Sequence, residues 1–553
     1  MTALKRIGVF VFFDKDGIVD DYEIPLIESL RDAVNDLIIV SNCYLDTKAT
    51  TILSKYTDKL IVRPNVGLDA GAFKDVYDTY HEYFKSFDEL LLVNDTFYGP
   101  FESFKDICIK METKKVDFWG LTANYDSVDG YGYLPDGKIH AHIQTFFIAF
   151  RKSVLTSEVF NNYWQNYDLN AMNSFINVVT KHEIAFTYYL EKNGFTWGTY
   201  VNLDKYKCDD IRGNFNIYAY CSYDLIKNLN CPFIKRKNFV FNKKDALFLT
   251  DGSDARRSLD YIKKYNLYDT RLIMNNLKRL YSPNDLYYGL DLNYVLNEST
   301  IKKNNYCILL ILQNVEYIYE FINYLKGKNI NNLYIISENS AIKKILDAEK
   351  IKNYSNDDID LSKYEYIGIL KDSFYLNQKI RAVYNFAILN VLDNLLYSNE
   401  YIYSVVETFE ENEDLGLLLL PNNLHSNYFN EMASKNDDIT YSNNGCWLKK
   451  ELFDWNLLEE CNWLETLRGN LKSHNLLFGK VYNQKCVNYN LINYEYALSS
   501  ISNSLKKHHG TITSSLSEAL YHITHTKVDT KLRKLEIFSK RVLRKIKRIL
   551  KNR

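Results

Sequence analysis

The feature of this sequence that most constrains its fold is a regular alternation of short apolar runs with amphipathic segments over its first 120 residues. Runs such as IGVFVFF, LIIV and LLLV have the length of strands. The segments between them, about ten to fifteen residues each, carry apolar side chains at helical spacing. Strands that alternate with helices of this length indicate βαβ units and a parallel sheet. The sequence therefore predicts an α/β fold for this region.

A chain of 553 residues is too long for one ordinary hydrophobic core, so several domains are expected. The same alternation restarts near residue 305, where YCILLIL has the pattern of a strand and EYIYEFINYLKGK that of a helix. We predict a first α/β domain over 1–215, a mainly helical connector over 216–300, a second α/β domain over 301–500 and a basic helical tail over 501–553.

Cysteine spacing and hydropathy limit the kinds of protein that this chain can be. The nine cysteines form no CxxC pair, which argues against a zinc site or a disulfide framework and favours free thiols. The apolar run over 7–13 is too short for the core of a signal peptide. No stretch reaches the roughly eighteen apolar residues of a membrane-spanning helix. We therefore expect a cytoplasmic protein without membrane-spanning segments.

The end of the chain is strongly basic. Between 527 and 553 there are twelve Lys or Arg against two acidic residues, a net of +10, although the whole chain sums to −1. Apolar residues recur there at three-to-four spacing, a pattern typical of a helix that lies on an anionic membrane surface. A solvated terminal helix docked on the body is the alternative. Basic charge confined to a tail does not indicate nucleic-acid binding.

Two stretches of the first domain carry polar residues where a parallel sheet would bind a ligand. RPNVGLDAGAFK is a glycine-spaced loop that follows a strand and carries Asn65 and Asp69. LLVNDTFYGP is an apolar strand that ends in Asn94, Asp95 and Thr96. Open α/β sheets bind ligands beyond the carboxyl ends of their strands. We expect these two stretches to form the walls of one site.

Several motifs, in this order, resemble those of the rhamnan synthesis protein F family of bacterial polysaccharide glycosyltransferases. They are FDKDG, RPNVGLDAGAFK, LLVNDTFYGP, DFWGLT, HIQTFF followed by RKSVL, KHEIAFT, CPFIKRKNF and YDTRLIMNNLKRL. The resemblance covers about 5–280 and implies a GT-A-like, Rossmann-type domain that uses a nucleotide-sugar donor. In the second domain, YEYIGILKDSFY matches FDELLLVNDTFY in character and places Asp372 where Asp95 stands. That domain is then a divergent transferase-like repeat or, equally, an ordinary α/β domain.

The resemblance implies donor binding by residues after the first and third strands. Phe13, Asp14 and Asp16 follow the first strand, where related folds bind the nucleobase and ribose, although the two aspartates could equally form a turn.

In the glycine loop, Asn65 and Asp69 would hydrogen-bond sugar or ribose hydroxyls, and Gly67 would allow positive φ and close approach of the backbone. Arg63 would neutralise phosphate charge, unless it is an ordinary arginine at a strand edge.

The resemblance also raises the question of a metal cofactor. Many such enzymes present two carboxylates as D-x-D at the end of this strand, whereas Asn94, Asp95 and Thr96 offer only one. Asp95 is the best candidate to bind Mg²⁺ or Mn²⁺, or the sugar, and Asn94 and Thr96 would contact the donor. The alternative is an aspartate that caps a turn, so metal dependence stays open.

Transfer with inversion needs a general base within reach of the acceptor hydroxyl. Glu183 in KHEIAFT matches a family glutamate and is our candidate, the alternative being a surface glutamate beside His182. His142 and Gln144 would contact the acceptor or the diphosphate, and Trp119 would stack on a sugar. Both His142 and Trp119 could instead be core residues.

The resemblance implies transfer of L-rhamnose from dTDP-L-rhamnose, with inversion, and we expect the acceptor to be a lipid-linked cell-wall or capsular polysaccharide precursor at the inner face of the cell membrane. One alternative is a UDP-hexose donor, such as UDP-galactose or UDP-glucose. Another is a non-catalytic glycan-binding or scaffold subunit. A third is two active domains, but the second domain has no counterpart of the glycine loop, so we expect one active site.

Overall fold

The computed structural model divides the chain into two compact units. The first takes the described residues up to 240 together with 253–280, and the second takes those from 281 onward. The segment 216–300, which the sequence predicts to be a connector, is therefore divided between the two units after residue 280. The basic tail over 501–553 lies outside the described residues, which are 4–129, 132, 134–204, 217–240, 253–372, 381–420, 445–460 and 463–485.

A mixed sheet organises the first unit. The strands of this unit are β1 (Arg6–Phe12), β2 (Asp36–Ser41), β3 (Lys59–Val62), β4 (Glu89–Asn94), β5 (Phe97–Tyr98), β6 (Phe118–Gly120), β7 (Ala123–Asn124), β8 (Ser127–Val128), β9 (Lys138–Ile139), β10 (His142–Ile143), β11 (Phe147–Arg151), β12 (Trp197–Thr199) and β13 (Ile234–Lys235). Within the described part of the chain, seven of them form one sheet in the order β3-β2-β1-β4-β11-β6-β12. All run parallel except β11. The α/β class predicted from the sequence is confirmed.

The first unit also contains helices. They are α1 (Glu23–Ala33), α2 (Thr47–Leu53), α3 (Leu68–Phe84), α4 (Phe104–Glu112), α5 (Lys152–Leu155), α6 (Glu158–Gln165), α7 (Phe175–Val178), α8 (Ala185–Lys192), α9 (Ile217–Tyr220), α10 (Ser222–Leu229), α11 (Asp254–Lys264) and α12 (Thr270–Leu280). Phe73 and Val76 of α3 pack in one apolar cluster with Val9 of β1 and Leu92 of β4. Burial of a large apolar side chain stabilises the fold by roughly 2 kcal/mol.

The strand register brings the polar strand ends to one edge of the sheet. Every residue of β1 and β4 is buried, which is why residues 7–12 and 90–93 form continuous apolar runs in the sequence. They pair in parallel from Arg6 opposite Glu89 to Val11 opposite Asn94. The residues that follow β1, β2, β3 and β4 therefore lie at the same edge, where the candidate site is found.

Three local predictions differ from the structure. Helix α3 begins at Leu68, so Asp69 lies in its first turn and not in a loop, because Gly67 acts as the N-cap with φ 73°. The stretch DFWGLTANYDSVDGYGYLPDG is rich in Gly, Asp and Tyr, a composition that predicts a loop over the site, but Phe118–Gly120 within it form the buried strand β6. The sequence over 175–190 predicts one helix, whereas the structure has a π-helical segment, Val179–Ile184, between α7 and α8.

The second unit contains a larger sheet. Its strands are β14 (Asn293–Leu296), β15 (Tyr306–Ile311), β16 (Leu333–Ile336), β17 (Asn353–Tyr354), β18 (Tyr366–Lys371), β19 (Leu415–Leu419), β20 (Gly445–Lys449) and β21 (Leu477–Asn483). Its helices are α13 (Pro283–Leu290), α14 (Ile318–Leu325), α15 (Ser340–Ala348), α16 (Arg381–Leu396), α17 (Asn399–Glu411) and α18 (Trp463–Ser473). Among the described residues the strand order is β14-β21-β19-β20-β18-β15-β16-β17.

The second sheet repeats the topology of the first. Strands β17, β16, β15 and β18 correspond to β3, β2, β1 and β4, and antiparallel β20 corresponds to β11. Strands β19 and β21 then correspond to β6 and β12, with β14 as an addition at the edge. The repeat inferred from the motif around Asp372 thus extends to the strand order of the described sheet.

No helix among the described residues is long and apolar enough to cross a membrane.

Candidate functional site

A hydrogen bond joins the two stretches that the sequence predicts to form the site. The side-chain amide of Asn94, at the end of β4, donates from Nδ2 to Oδ2 of Asp69 over 2.7 Å. The amide oxygen of Asn94 accepts from the backbone N–H and the hydroxyl of Thr96, at 3.1 and 2.7 Å. The structure therefore brings Asp69, Asn94 and Thr96 together at the carboxyl edge of the sheet.

Asp95 is buried at the centre of this edge. One of its carboxylate oxygens accepts from the backbone N–H of Phe13 at 3.2 Å, and its backbone carbonyl accepts from the Tyr22 hydroxyl at 3.2 Å. Burial raises the pKa of the Asp95 carboxyl, and the charge of Arg236 opposes the rise. The ends of β1 and β4 are thus tied together through this aspartate.

Asp69 shares an electrostatic environment with Glu183. Burial raises the pKa of Asp69, the hydrogen bond from Asn94 opposes that rise, and the negative charge of Glu183 adds to it. The structure therefore places Glu183, more than a hundred residues downstream in the sequence, near the Asp69 side of the edge.

Glu183 is held by a neighbouring residue and remains partly open to solvent. One carboxylate oxygen accepts from both the backbone N–H and the hydroxyl of Thr145, at 3.2 and 3.1 Å. The side chain is 22% exposed. It belongs to the π-helical segment, a distortion that is frequent at functional sites. A fixed, accessible carboxylate of this kind is suited to accept a proton.

His142 lies behind Glu183 and is buried. Its Nδ1 is 2.6 Å from the backbone oxygen of His140, and its Nε2 is 3.2 Å from Nδ2 of Asn124. These partners assign the proton to Nδ1 and leave Nε2 as the acceptor. Nε2 is 3.8 Å from Oε1 of Glu183, beyond hydrogen-bond distance.

Gln144 and Trp119 also have partners inside the protein. The amide oxygen of Gln144 accepts from the Thr122 hydroxyl at 2.9 Å. The Trp119 indole is fully buried and donates to Glu89 at 2.8 Å, at the opposite end of β4 from the site. The expectation that Trp119 stacks on a sugar is wrong in this structure, because no face of the ring is exposed.

Arg63 anchors the loop before α3. Its guanidinium donates to Asp75 at 2.6 Å, to the side-chain oxygen of Asn42 at 2.8 Å and to the backbone oxygen of Val66 at 2.8 Å. Asn42 in turn donates to Oδ1 of Asn65 at 3.1 Å. These contacts position Asn65 beside the site, and they engage Arg63 within the protein.

Gly67 is required by local packing. A Cβ at this position would lie 2.6 Å from Cδ1 of Leu169. Its positive φ is also one that side chains with a Cβ rarely adopt. In this structure the space beside the glycine is therefore filled by a leucine of the protein.

The turn after β1 is closed by an arginine. Oδ1 of Asp14 accepts from the backbone N–H groups of Asp16 and Ile18, at 2.8 and 3.1 Å, while Oδ2 pairs with Arg279. Burial disfavours the Asp14 charge, yet Arg279 and the two N–H groups lower its pKa overall. The turn geometry for Asp14 is thus observed, and Phe13 beside it is 40% exposed.

Sequence reasoning assigned no role to the cations of the CPFIKRKNF motif. Strand β13 places Lys235 opposite Phe97 of β5, just after the Asn94–Thr96 turn. The three consecutive basic residues of this motif could have suggested an anion-binding role. The motif itself, however, does not show that it pairs with the distant strand β5.

The described part of the chain contains no group of three or more His, Cys, Asp or Glu arranged to hold a metal ion. Asp95 and Asp69 supply hard carboxylate oxygens, the donor type that Mg²⁺ and Mn²⁺ prefer. These two residues fit a divalent cation in donor type, and water and phosphate would have to supply the remaining ligands of such an ion.

A family model described as rhamnan synthesis protein F matches residues 37–453, which is more than half of the chain. The chain belongs to this family. The family member is also 25% identical over 188 residues to the uncharacterized protein y4gN of Sinorhizobium fredii, covering 34% of the chain and 46% of that protein. It is 24% identical over 222 residues to the virulence protein VirA of Vibrio anguillarum, covering 39% of the chain and 66% of that relative. The matches thus span between about half and two thirds of these relatives.

The solved structures similar to this chain include two proteins that each share 11% sequence identity with it. One is core-mannan synthase A from Aspergillus fumigatus in its Mn/GDP form, with a TM-score of 0.21 and coverage of 34% of this chain and 72% of that one. The other is S. aureus TarS in complex with UDP, with a TM-score of 0.23 and coverage of 52% and 80%.

Proposed function

We propose that this protein is a polysaccharide glycosyltransferase with its active site at the carboxyl edge of the first sheet. The observation that carries the proposal is the Asn94–Asp69 hydrogen bond, which joins two motifs of the family at one edge, close to Asp95 and to a partly exposed Glu183. Buried carboxylates that can bind a sugar or a cation, beside a fixed and accessible base, are suited to sugar transfer from a nucleotide donor.

In the proposed reaction Glu183 acts as the general base. It takes the proton of the acceptor hydroxyl, whose oxygen forms a bond to the anomeric carbon of the donor sugar. The bond between that carbon and the diphosphate oxygen breaks, and the nucleoside diphosphate leaves. Attack from the face opposite the leaving group inverts the anomeric configuration. The two hydrogen bonds from Thr145 hold the carboxylate in one orientation during this step.

Asp69 and Asn94 would bind hydroxyls of the donor sugar. Phe13, partly exposed beside the Asp14 turn, would contact the nucleobase, and Asn65 would lie at the ribose side. Asp95, with Asp69 beside it, would hold Mg²⁺ or Mn²⁺, and such an ion would neutralise charge on the diphosphate. His142 and Gln144, expected from the sequence to contact the acceptor or the diphosphate, have partners inside the protein, and we propose that they position the surroundings of Glu183.

The donor we favour is dTDP-L-rhamnose, because the family is described by rhamnan synthesis. A UDP-hexose, such as UDP-galactose or UDP-glucose, is the second candidate. The acceptor would be a lipid-linked precursor of a cell-wall or capsular polysaccharide. The basic segment over 527–553, outside the described residues, would hold the enzyme on an anionic membrane surface at the cytoplasmic face.

We place the single active site in the first unit. At the equivalent position of the second unit, Asp372 accepts backbone N–H groups on both carboxylate oxygens, from Gln313 at 2.7 Å and Asn314 at 3.0 Å. Both oxygens are thereby engaged in holding the end of β15. This arrangement supports a structural role for the repeat.

A thermal-shift panel tests the proposal directly. The full-length protein is heated with dTDP-L-rhamnose, UDP-glucose, UDP-galactose and a GDP-sugar, with and without Mg²⁺ or Mn²⁺. We expect a higher melting temperature with one donor, and loss of that shift in an Asp69→Ala variant that folds. No shift with any donor would favour a non-catalytic subunit.

A further inference from the structure

We propose that Lys235, flanked by Arg236 and Lys237, binds the diphosphate of the donor and stabilises it as it leaves. This inference rests on the proposed function and deepens it. It adds to the site a binding group that neither the sequence motifs around Asp95 nor the family description indicates.

Strand pairing brings these cations to the edge where the donor would bind. Strand β13 pairs antiparallel with β5, with Lys235 opposite Phe97. The backbone N–H of Arg236 donates to the backbone oxygen of Thr96 at 3.2 Å. The segment therefore runs beside the Asn94–Thr96 turn, within the same unit.

The ammonium group of Lys235 is held on an aromatic ring next to the proposed base. Its Nζ is 3.1 Å from the ring centroid of Phe146. The residue before Phe146 is Thr145, which binds Glu183. Lys235 therefore lies near the proposed base, and the charges of both Glu183 and Asp69 act on it.

Lys235 has no direct counterion in the part of the chain that the structure describes. No carboxylate there lies within 4.0 Å of its Nζ. Burial lowers the pKa of Lys235 to about 7, and the more distant charges of Glu183 and Asp69 only partly oppose this effect. Lys235 is partly buried, a partly desolvated cation without a direct counterion is unfavourable, and a phosphate anion would supply that partner.

The flanking cations are placed differently. Arg236 donates to the Tyr22 hydroxyl at 2.8 Å, and Tyr22 bonds the backbone of Asp95. Lys237 is exposed, with its Nζ 4.1 Å from the ring centroid of Phe175 at the start of α7. Arg236 therefore supports the Asp95 turn, and Lys237 adds positive charge at the rim.

Diphosphate binding should take up a proton. Four titratable groups influence Lys235: Glu183 and Asp69 from other elements, and Lys237 and Cys231 from its own segment. A bound diphosphate adds negative charge at short distance, which raises the pKa of Lys235. At a pH above the pKa that Lys235 has in the free protein, Lys235 must gain a proton as the diphosphate binds. The affinity for the diphosphate therefore falls as the pH rises.

Isothermal titration calorimetry on the full-length protein tests this inference. The probes are dTDP, UDP and GDP, their nucleosides, and inorganic pyrophosphate, in two buffers of different ionisation enthalpy, from about pH 6 to about pH 8.5. The variants are Lys235→Met, which keeps the apolar stem over Phe146, and Lys235→Arg, which keeps the charge. Lys5→Met is the matched control, because Nζ of Lys5 also lies over a ring, at 4.5 Å from Phe87, at the opposite edge of the sheet.

We expect Lys235→Met to weaken binding of the preferred nucleoside diphosphate roughly tenfold to hundredfold, with nucleoside affinity unchanged. Lys235→Arg should retain most of the affinity but lose the proton uptake, and Lys5→Met should match the wild type. If Lys235→Met binds the diphosphate as tightly as the wild type, with the same proton uptake, this inference is overturned while the proposed function stands. If the wild type binds none of the nucleoside diphosphates, both are overturned.

Discussion

The side-chain amide of Asn94 donates to the carboxylate of Asp69 over 2.7 Å, linking the end of β4 to the first turn of α3. An asparagine therefore occupies a position at which a second carboxylate would face Asp69 at hydrogen-bond distance. The single acidic residue of the Asn94–Thr96 turn follows from this geometry, because an amide can donate where a carboxylate would repel.

Replacing Asn94 with aspartate should destabilise the protein at neutral pH by about 2 kcal/mol, since the donor to a buried carboxylate is lost. The two carboxylates would share one proton, so the pKa of the pair would be raised in the folded state. A raised folded-state pKa contributes stability at low pH that is lost as the pH rises through it. Urea unfolding as a function of pH should therefore show that the stability difference between Asn94→Asp and the wild type becomes smaller as the pH falls.

The matched control is Asn177→Asp, because Nδ2 of Asn177 donates over 2.7 Å to a neutral amide oxygen, on Asn173. That variant should show no recovery at acidic pH of the kind expected for Asn94→Asp. Equal pH profiles for the two variants would contradict the assignment of a carboxylate pair.

Thr145 is predicted to act as a positioning residue for the base. Thr145→Val removes the hydroxyl bonded to Glu183 but keeps the backbone N–H and the shape of the side chain. We expect kcat to fall about tenfold, the effect of losing one hydrogen bond to a charged group, with donor affinity unchanged. Steady-state kinetics and calorimetry measure the two quantities. Thr122→Val, which removes a buried hydroxyl bonded to Gln144, is the control, and an equal loss of kcat there would argue against a specific role.

Trp119 is predicted to be a structural residue. Trp119→Phe removes the indole donor to Glu89, which is buried and also bonded by Arg6. Loss of this hydrogen bond should lower the free energy of unfolding by about 1–3 kcal/mol. Trp197→Phe should lower it less, because that indole bonds a more exposed Glu191 at 3.3 Å. Folded Trp119→Phe protein should retain kcat and donor affinity, and a selective loss of either would restore Trp119 as a ligand contact.

His182 is predicted to make the first unit sensitive to acid. Burial lowers its pKa to about 3, against about 6.5 in an unfolded chain. Below the unfolded value the unfolded state binds a proton that the folded state does not, so stability falls with the pH across this window. From about pH 7 to about pH 5 the loss should be roughly 2 kcal/mol.

His182→Phe should remove this part of the pH dependence, although it also deprives the Tyr163 hydroxyl of a partner at 3.0 Å. The quantity to compare between His182→Phe and the wild type is therefore the change in the free energy of unfolding from about pH 7 to about pH 5, and not its absolute value. The control is the same substitution at His474, which is exposed. An unchanged difference in His182→Phe would contradict the lowered pKa.

The parts of the fold that sequence predicts well are those governed by local pattern. Residues 7–12 of β1 and 90–93 of β4 carry no charged or polar side chain because both faces of these strands are buried, and the parallel pairing of the two strands made the meeting of Asn94 with the Asp69 segment predictable. The start of helix α3 was harder to predict, because the glycine-spaced sequence around Gly67, which has a positive φ, is typical of a loop.

The rest depends on contacts between distant segments. Strand β6 has three residues, too few to show a periodicity, and its pairing with β11 and β12 is what defines it. Lys235 reaches the site only through the pairing of β13 with β5, and the CPFIKRKNF motif does not specify that partner. Burial of His142, Gln144 and Trp119 follows in the same way from the finished packing.

The central claim is that Glu183 is the base of a sugar transfer at this edge, and a comparison of the wild type with Glu183→Gln tests it most directly. Purified full-length proteins are incubated with the preferred nucleotide sugar and lipid-linked acceptor, and nucleoside diphosphate release and glycan extension are followed together. We predict that Glu183→Gln lowers kcat by about 10²–10⁴-fold while its calorimetric donor affinity equals that of the wild type. Turnover by Glu183→Gln at the wild-type rate, or no acceptor-dependent release by the wild type with any donor, would contradict this account.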